Sequence, residues 1–174
     1  MKLEQQEQIL GCMAEVLNQN GFRAEVMRKE GAPTLLRCEA MRQGKVAKDV
    51  VIEACFIPMQ LPSEDSGLLQ FFVTLFQGAP DANVNQLRRA CSYCNDFCAL
   101  GSFGLFEQGG QIYLKHNTLL DGSLELEKII PFVADNISLL LAAVSRFIDG
   151  LAQVAYAGMT LDAVIDQELF PKVN

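Results

Sequence analysis

Residues 3–20 carry apolar side chains at a spacing of three or four positions. Such a stripe is typical of an amphipathic helix that buries one face, and it predicts a helix over this range. The positions of the stripe are Ile9, Leu10, Met13, Val16 and Leu17. Asn20-Gly21 ends the predicted helix, because both residue types favour turns.

Four segments between residues 22 and 76 alternate apolar and polar side chains, which is the period of a β-strand. They cover residues 22–26, 34–42, 46–57 and 68–76. The fourth segment is apolar on both faces, with Phe72 and Phe76 on the side opposite its main apolar row. Because such a strand needs cover on both sides, we expect it centrally in the sheet or under a dimer contact.

A second helix is predicted over residues 83–101, followed by a β-hairpin. Asn83 is expected to cap this helix and Gly101 to stop it. Its apolar stripe consists of Val84, Leu87, Cys91, Cys94 and Cys98. The hairpin strands are expected over residues 103–107 and 111–116, on either side of a turn that contains Gly109-Gly110.

The last third of the chain is predicted to be mainly helical. After a loop over residues 117–123, Ser123 is expected to cap a short helix that ends at residue 130. Pro131 suits the first turn of a long apolar helix that reaches about residue 157, and Thr160 suits the cap of a final helix over residues 161–168. The chain is therefore predicted to be α+β, with an N-terminal helix, a mainly antiparallel twisted sheet and packed helices, as a single domain over residues 1–174.

The middle of the chain resembles a known family. The run Asn95…Phe103-Gly104-Leu105-Phe106…Gly110-Gln111-Ile112-Tyr113-Leu114, followed by a long apolar helix, is similar to the YbjN-like family. That bacterial family shares its fold with the class I type III secretion chaperones. The resemblance implies binding through sheet and helix surfaces, often as a homodimer. It also implies a regulatory role, as in sensory transduction regulators, or the holding of partially unfolded protein segments.

Charge and composition exclude several classes of partner. The formal net charge is −7, and this argues against nucleic acid and against an anionic membrane, which both need Lys and Arg at the contact. A basic protein segment suits it better. The first residues are too polar for a signal peptide, and the longest apolar run, over residues 137–144, is short for a membrane span. We therefore expect a soluble, cytoplasmic protein with reduced thiols and no cofactor.

Three cysteines suggest an alternative function. Cys91, Cys94 and Cys98, with Cys55 or His116 as a fourth ligand, offer the soft ligands of a metal or redox site. Their spacing is also that of a buried helical stripe, and free cysteine is among the most buried residue types. Core packing is therefore the first interpretation, and a cysteine-based metal-binding or redox protein is the alternative.

The remaining candidate residues point to binding and not to catalysis. Arg88 and Arg89 lie on the polar face of the second helix and are candidates for binding a partner's carboxylates, together with the apolar Phe72 and Phe76. The alternative interpretation of the two arginines is ordinary surface charge. His116 is the one histidine in the sequence, and no nucleophile motif accompanies it. The sequence thus predicts a non-enzymatic protein-binding module.

Overall fold

The computed structural model describes residues 1–172 and contains four α-helices and six β-strands in that range. The elements in chain order are α1 (Leu3–Gln19), β1 (Arg23–Met27), β2 (Leu35–Gln43), β3 (Lys48–Phe56), β4 (Ser66–Phe76), α2 (Val84–Asn95), β5 (Ser102–Phe106), β6 (Gln111–Asp121), α3 (Leu126–Tyr156) and α4 (Leu161–Asp166). A short 3₁₀ turn, Asp81–Asn83, precedes α2.

The strands form one antiparallel, open sheet in the order β1-β2-β3-β4-β6-β5. This architecture, with an N-terminal helix and packed helices, confirms the predicted α+β class. β4 lies between β3 and β6, so the strand that is apolar on both faces has an interior place in the sheet. The outer strands of the sheet are β1 and β5.

The inner strands bury alternate side chains, as their sequence period predicted. One row of each strand is almost completely buried, while the intervening residues are half-buried or exposed. The buried rows contain Leu36, Cys38 and Ala40 of β2, Val50, Ile52, Ala54 and Phe56 of β3, and Leu69, Phe71, Val73 and Leu75 of β4. Burial of one row therefore fixes the register of each strand, because a slip of one residue would expose the whole row.

The chain divides into two compact units. The first comprises Met1–Ala40, Val51–Phe72 and His116–Ser138, and the second comprises Met41–Val50, Val73–Lys115 and Leu139–Asn174. In the first unit, α1 packs against β1 and buries Ile9, Leu10 and Met13. This face is the apolar stripe that the sequence predicted.

In the second unit, α2 packs against β5 and α4. Aromatic rings fill the interior of this unit. The ring of Phe147 in α3 meets Phe103 edge-on at 5.7 Å between centroids and Phe170 at 5.9 Å. Thr160 caps α4 by accepting a hydrogen bond from the Ala163 N–H, as predicted.

Two predicted features of α2 are wrong. Asn83 occupies the cap position, but its side chain donates to the Ala155 carbonyl at 3.0 Å and makes no cap bond to α2. The helix also ends at Asn95 and not near Gly101. The N–H groups of Asp96 and Phe97 bond three residues back, to Tyr93 and Cys94, which tightens the last turn and stops the helix.

Two boundaries in the last third also differ from prediction. β6 continues through the predicted loop to Asp121, because β4 runs beside it, and Gly122 N–H donates to Asp65 O at 2.9 Å where the pair ends. The predicted short and long helices are one helix, α3, with Pro131 inside it. Pro131 has no backbone N–H, so the carbonyl of Glu127, four residues earlier, lacks its helical hydrogen-bond donor. Glu127 is exposed, and water can donate to this carbonyl instead.

α3 is the one helix among residues 1–172 that is long and apolar enough to cross a membrane by length and composition alone. The core helix of a soluble protein meets the same criterion. Its buried residues include Val133, Leu140, Val144, Phe147 and Leu151, which share one stripe. The structure is thus compatible with a soluble protein.

Candidate protein-binding surface

An apolar groove lies in the first unit, where β6 ends and α3 begins. Its volume is about 230 Å³. The groove is lined by Leu119, Leu120, Asp121, Leu124, Lys128, Ile129 and Phe132. Leu119, Leu124 and Phe132 are 62%, 44% and 48% exposed, whereas Ile129, which also lines the groove, is buried. Three large apolar side chains in contact with water around one depression are typical of a binding site.

The turn between β6 and α3 is held in place by hydrogen bonds. The Asp121 carboxylate accepts from the Ser123 hydroxyl at 2.7 Å and from the Ser123 N–H at 2.9 Å. The Gln5 side chain donates to the carbonyl oxygen of Gly122 at 2.5 Å. A side chain at Gly122 would meet the backbone oxygen of Asp65 at 2.8 Å, so glycine is required there. Leu124 is therefore presented to solvent by an ordered turn.

The segment that forms the groove is acidic. Residues 119–135 contain four carboxylates (Asp121, Glu125, Glu127 and Asp135) and one lysine, Lys128, and of these Asp121 and Lys128 line the groove itself. Within residues 1–172 none of these five groups forms an ion pair. The hydrogen bonds from Ser123 hold the pKa of the Asp121 carboxyl below its ordinary value, so this carboxylate keeps its charge at neutral pH. The net negative charge of residues 119–135 therefore favours a positively charged partner.

The two predicted arginines are engaged within the second unit. Arg88 bonds the Glu107 carboxylate through Nε at 2.6 Å, and Arg89 lies 3.7 Å from Asp162. Both arginine side chains are 53% exposed, so these pairs are surface pairs that contribute little to stability. Binding of a partner's carboxylate by either arginine would compete with an acidic group already in place.

Phe72 and Phe76 lie in different surroundings. Phe76 is 7% exposed and its ring meets the Tyr156 ring edge-on at 5.6 Å. Tyr156 is held there by its hydroxyl, which donates to Gln77 O at 2.9 Å. Phe76 therefore contacts its own chain and offers little surface to a partner. Phe72 is half-buried in β4.

The cysteines are separated by the end of α2. Cys91 and Cys94 are buried in the helix, but Cys98 lies beyond it in the connection to β5. Burial raises the pKa of Cys91 to about 12 and raises the pKa of Cys94 further. Burial also raises the pKa of Cys98, against the opposing effect of Arg146. Within residues 1–172 no group of three His, Cys, Asp or Glu side chains is placed to hold a metal ion.

His116 and Asn136 form a polar pair in the first unit. Asn136 is 5% exposed, hydrogen bonds to His116, and donates to the Phe132 carbonyl at 2.7 Å. The His116 ring stacks on Phe71 with centroids 6.2 Å apart. Burial lowers the pKa of His116, and the bond from Asn136 opposes this only in part. The histidine is thus a neutral structural residue at pH 7.

Sequence reasoning missed the groove because it assigned residues 117–123 to a loop. One signal could have shown it. Leu119 and Leu120 are adjacent, so in a strand one of them must face away from the core. In the helix α3 the adjacent Phe132 and Val133 also differ, since Val133 is buried and Phe132 is exposed.

Comparison with protein-family models and with curated proteins finds no match for this chain.

Proposed function

We propose that this protein is a non-enzymatic protein-binding module of the YbjN-like and secretion-chaperone-like kind, which acts as a regulator or a chaperone by holding a segment of another protein. The observation that carries the proposal is the groove between β6 and α3. Its exposed side chains Leu119, Leu124 and Phe132 are apolar, and the segment that forms it, residues 119–135, carries four carboxylates and one lysine. Burial of three such side chains by a partner would stabilise a complex by several kcal/mol, at roughly 1.5–3 kcal/mol for each complete burial.

The proposed site of action is the cytoplasm. All six cysteines, which lie within the described residues, are free thiols. Cys38, Cys91 and Cys94 are buried, and free thiols are the usual state in a reducing compartment. The free thiols support this location.

The proposal is tested by affinity capture with crosslinking from the native host. Leu124→Asp places a charge in the groove, whereas Met59→Asp places the same charge at a methionine that is 53% exposed in the loop after β3. We expect the wild type and Met59→Asp to recover the same protein partner and Leu124→Asp to recover about tenfold less, the equivalent of 1.4 kcal/mol. Recovery of no partner by the wild type, or equal recovery by Leu124→Asp, would contradict the proposal.

The proposed module is a homodimer that associates through the outer side of α3 in the second unit. Leu139 is 47% exposed, and Ala142 lies beside it on the solvent side of the helix. Phe97 and Cys98 line a shallow depression next to these two residues. Light scattering after size exclusion is expected to give twice the chain mass, and Leu139→Asp is expected to give the monomer. A wild-type monomer at micromolar concentration would contradict the dimer.

A further inference from the structure

The turn between β2 and β3, in the second unit, carries three cationic side chains that lie in solvent. Arg42, Lys45 and Lys48 are all exposed. Within residues 1–172 their charged groups form no ion pair and no hydrogen bond. Most arginines of the chain differ in this respect, and those that form ion pairs are Arg23, Arg28, Arg37, Arg88 and Arg89. The turn therefore presents three positive charges without a partner among the described residues.

The charge of the chain is divided unequally between the two units. The second unit contains eight Lys or Arg and eight Asp or Glu, so the first unit carries the whole formal charge of −7. Within the second unit, residues 41–50 have three basic groups and one acidic group, whereas the remainder has five basic and seven acidic groups. The turn is therefore the positive part of its unit.

The two carboxylates beside the turn are bonded to its backbone. Asp49 accepts from the Arg42 N–H at 2.9 Å, and Asp149 of α3 accepts from the N–H groups of Lys45 and Val46 at 3.0 and 2.9 Å. Neither carboxylate forms an ion pair with any side chain among residues 1–172. These bonds fix the shape of the turn and set two negative charges against three positive ones, so the turn stays positive.

The turn is closely packed and strained. A Cβ at Gly44 would overlap the Ile148 side chain of α3, so the turn and the helix are in close contact. Arg42 and Ala47 have φ values of 55° and 49°, and they are two of the three non-glycine residues with positive φ among residues 1–172. Glycine or asparagine adopts this conformation at lower cost. An arginine at position 42 is therefore better explained by what its side chain binds than by the geometry of the turn, and such strain is common at binding sites.

Apolar side chains accompany the cations of the turn. Met41, which precedes Arg42, is 58% exposed, and Val46, which follows Lys45, is 41% exposed. A partner that contacts the turn can therefore place apolar side chains on Met41 and Val46 and carboxylates beside the cations. Such a mixture of apolar and charged groups suits a protein segment.

We propose that residues 41–48 form a second interaction surface, which binds a carboxylate-rich segment of a partner protein. The surface lies wholly in the second unit, and the inference does not depend on the groove between β6 and α3. Arg42 can bind a carboxylate through two parallel hydrogen bonds, whereas Lys45 and Lys48 act as point charges. Because the turn is already ordered, binding costs it little conformational freedom.

The distribution of charge favours a short protein segment over nucleic acid or an anionic membrane. Both of these present phosphate groups over a wide surface and need Lys and Arg across the whole contact. Here the excess of positive charge is confined to one turn, and the remainder of the second unit has more carboxylates than cations. A longer array of phosphates would therefore meet repulsion beyond the turn, whereas a short acidic segment would not.

Fluorescence anisotropy with synthetic peptides tests the proposal. The first probe is a nine-residue peptide of six Glu and three Val, and the second has Gln in place of Glu. We expect the Glu peptide to bind at least about tenfold tighter at low salt and to lose this advantage as salt is added, because exposed charges are screened. Equal binding of the two peptides overturns the proposal. Tighter binding of oligothymidylate or of phosphatidylserine vesicles than of the Glu peptide also overturns it.

A pair of lysine variants locates the binding. Lys45→Gln/Lys48→Gln is expected to weaken binding of the Glu peptide about tenfold, since two charge pairs are lost. Lys115→Gln/Lys172→Gln makes the same change of charge elsewhere in the second unit and is expected to leave the affinity almost unchanged. Equal affinity of these two variants for the peptide overturns the proposal. Circular dichroism checks that each variant is folded.

A second pair of variants separates the side chain of Arg42 from the conformation of the turn. Arg42→Asn removes the guanidinium with a residue that tolerates a positive φ, whereas Ala47→Gly relieves strain and leaves the charge unchanged. The first is expected to weaken the Glu peptide about threefold and the second is not. Equal affinity of Arg42→Asn and the wild type would remove Arg42 from the surface and contradict its proposed role.

A photo-crosslinking residue in place of Val46, used in the native host, identifies the natural segment by mass spectrometry. A segment rich in Asp and Glu supports the inference. A basic or uncharged segment, a second copy of this chain, or capture of no protein overturns it. Leu124→Asp, which tests the groove, should leave binding of the Glu peptide unchanged, so failure of this surface and failure of the proposed function are measured separately. Loss of the Glu peptide in Leu124→Asp would place its binding outside the turn and overturn the inference.

Discussion

Asn95 holds Phe103 by both polar groups of its backbone, with one side-chain amide bonded to the N–H at 2.6 Å and to the C=O at 3.1 Å. The bond pair joins the last residue of α2 to the outer strand β5 across the irregular segment 96–101. It also gives a physical role to Asn95 and Phe103, the first two residues of the run that resembles the YbjN-like family.

We expect Asn95→Ala to destabilise the protein by about 1–3 kcal/mol, since two hydrogen bonds are lost and the backbone of the buried Phe103 loses its partner. Urea unfolding measures this change. Asn85→Ala on the same helix is the control, because Asn85 contacts only the exposed Arg88 among the side-chain bonds described. Equal stability of the two variants would show that the amide bonds of Asn95 are replaced by water.

The β2–β3 turn depends on Asp149 of α3. The carboxylate accepts from the N–H groups of Lys45 and Val46 at 3.0 and 2.9 Å. We expect Asp149→Ala to cost about 1–2 kcal/mol and to accelerate amide exchange at Lys45 and Val46. Asp135→Ala, an exposed aspartate on the same helix, should leave both quantities unchanged. Hydrogen exchange followed by NMR checks the prediction, and protection of Lys45 in the variant would refute it.

The same turn contains a strained alanine. Ala47 has a φ of 49°, a left-handed conformation that costs a residue with a Cβ roughly 1–2 kcal/mol. Ala47→Gly is therefore expected to stabilise the protein by about 0.5–1 kcal/mol, after allowance for the greater freedom of glycine in the unfolded chain. Ala142→Gly in the regular helix α3 should instead destabilise the protein. A thermal melt of both variants gives the comparison.

Protonation of His116 opposes folding. Burial lowers its pKa in the folded protein below the ordinary value of 6.5, so the unfolded chain takes up the proton first as pH falls. Stability is therefore complete above pH 6.5 and decreases as the pH falls from there toward the folded pKa. His116→Gln should lose less stability than the wild type between pH 7.5 and pH 5.5 in urea titrations. An NMR titration that places the folded pKa above 6.5 would contradict this.

The thiols of α2 are expected to be unreactive. Because burial raises the pKa of Cys91 to about 12 and that of Cys94 further, very little thiolate exists at pH 7. A thiol reagent should label both residues only when the protein unfolds, whereas the part-exposed Cys12 should react in the folded state. Elemental analysis of protein purified without chelator provides the second check. A stoichiometric metal that is lost in Cys94→Ser would restore the alternative of a cysteine site.

Much of the fold was predictable because the apolar period reports directly which side of an element is buried. The helix α1 and the buried rows of β2, β3 and β4 were expected from this period and are confirmed. The candidate site was not predictable in the same way. Residues 117–123 were assigned to a loop that holds Asp121-Gly122, and only pairing with β4 makes residues 117–121 a strand.

The sequence by itself determined the type and order of the elements as far as β6, the cap of α4 and the acidic charge, because each depends on residues that are neighbours in the chain. Tertiary structure decided where α2 ends, that Pro131 lies inside one long helix, and that Asn83 bonds Ala155 and not α2. It also decided that the Asn95 amide bonds the backbone of Phe103 and which apolar residues remain in water. These features depend on contacts between residues far apart in sequence, and no local pattern of apolar and polar residues predicts them.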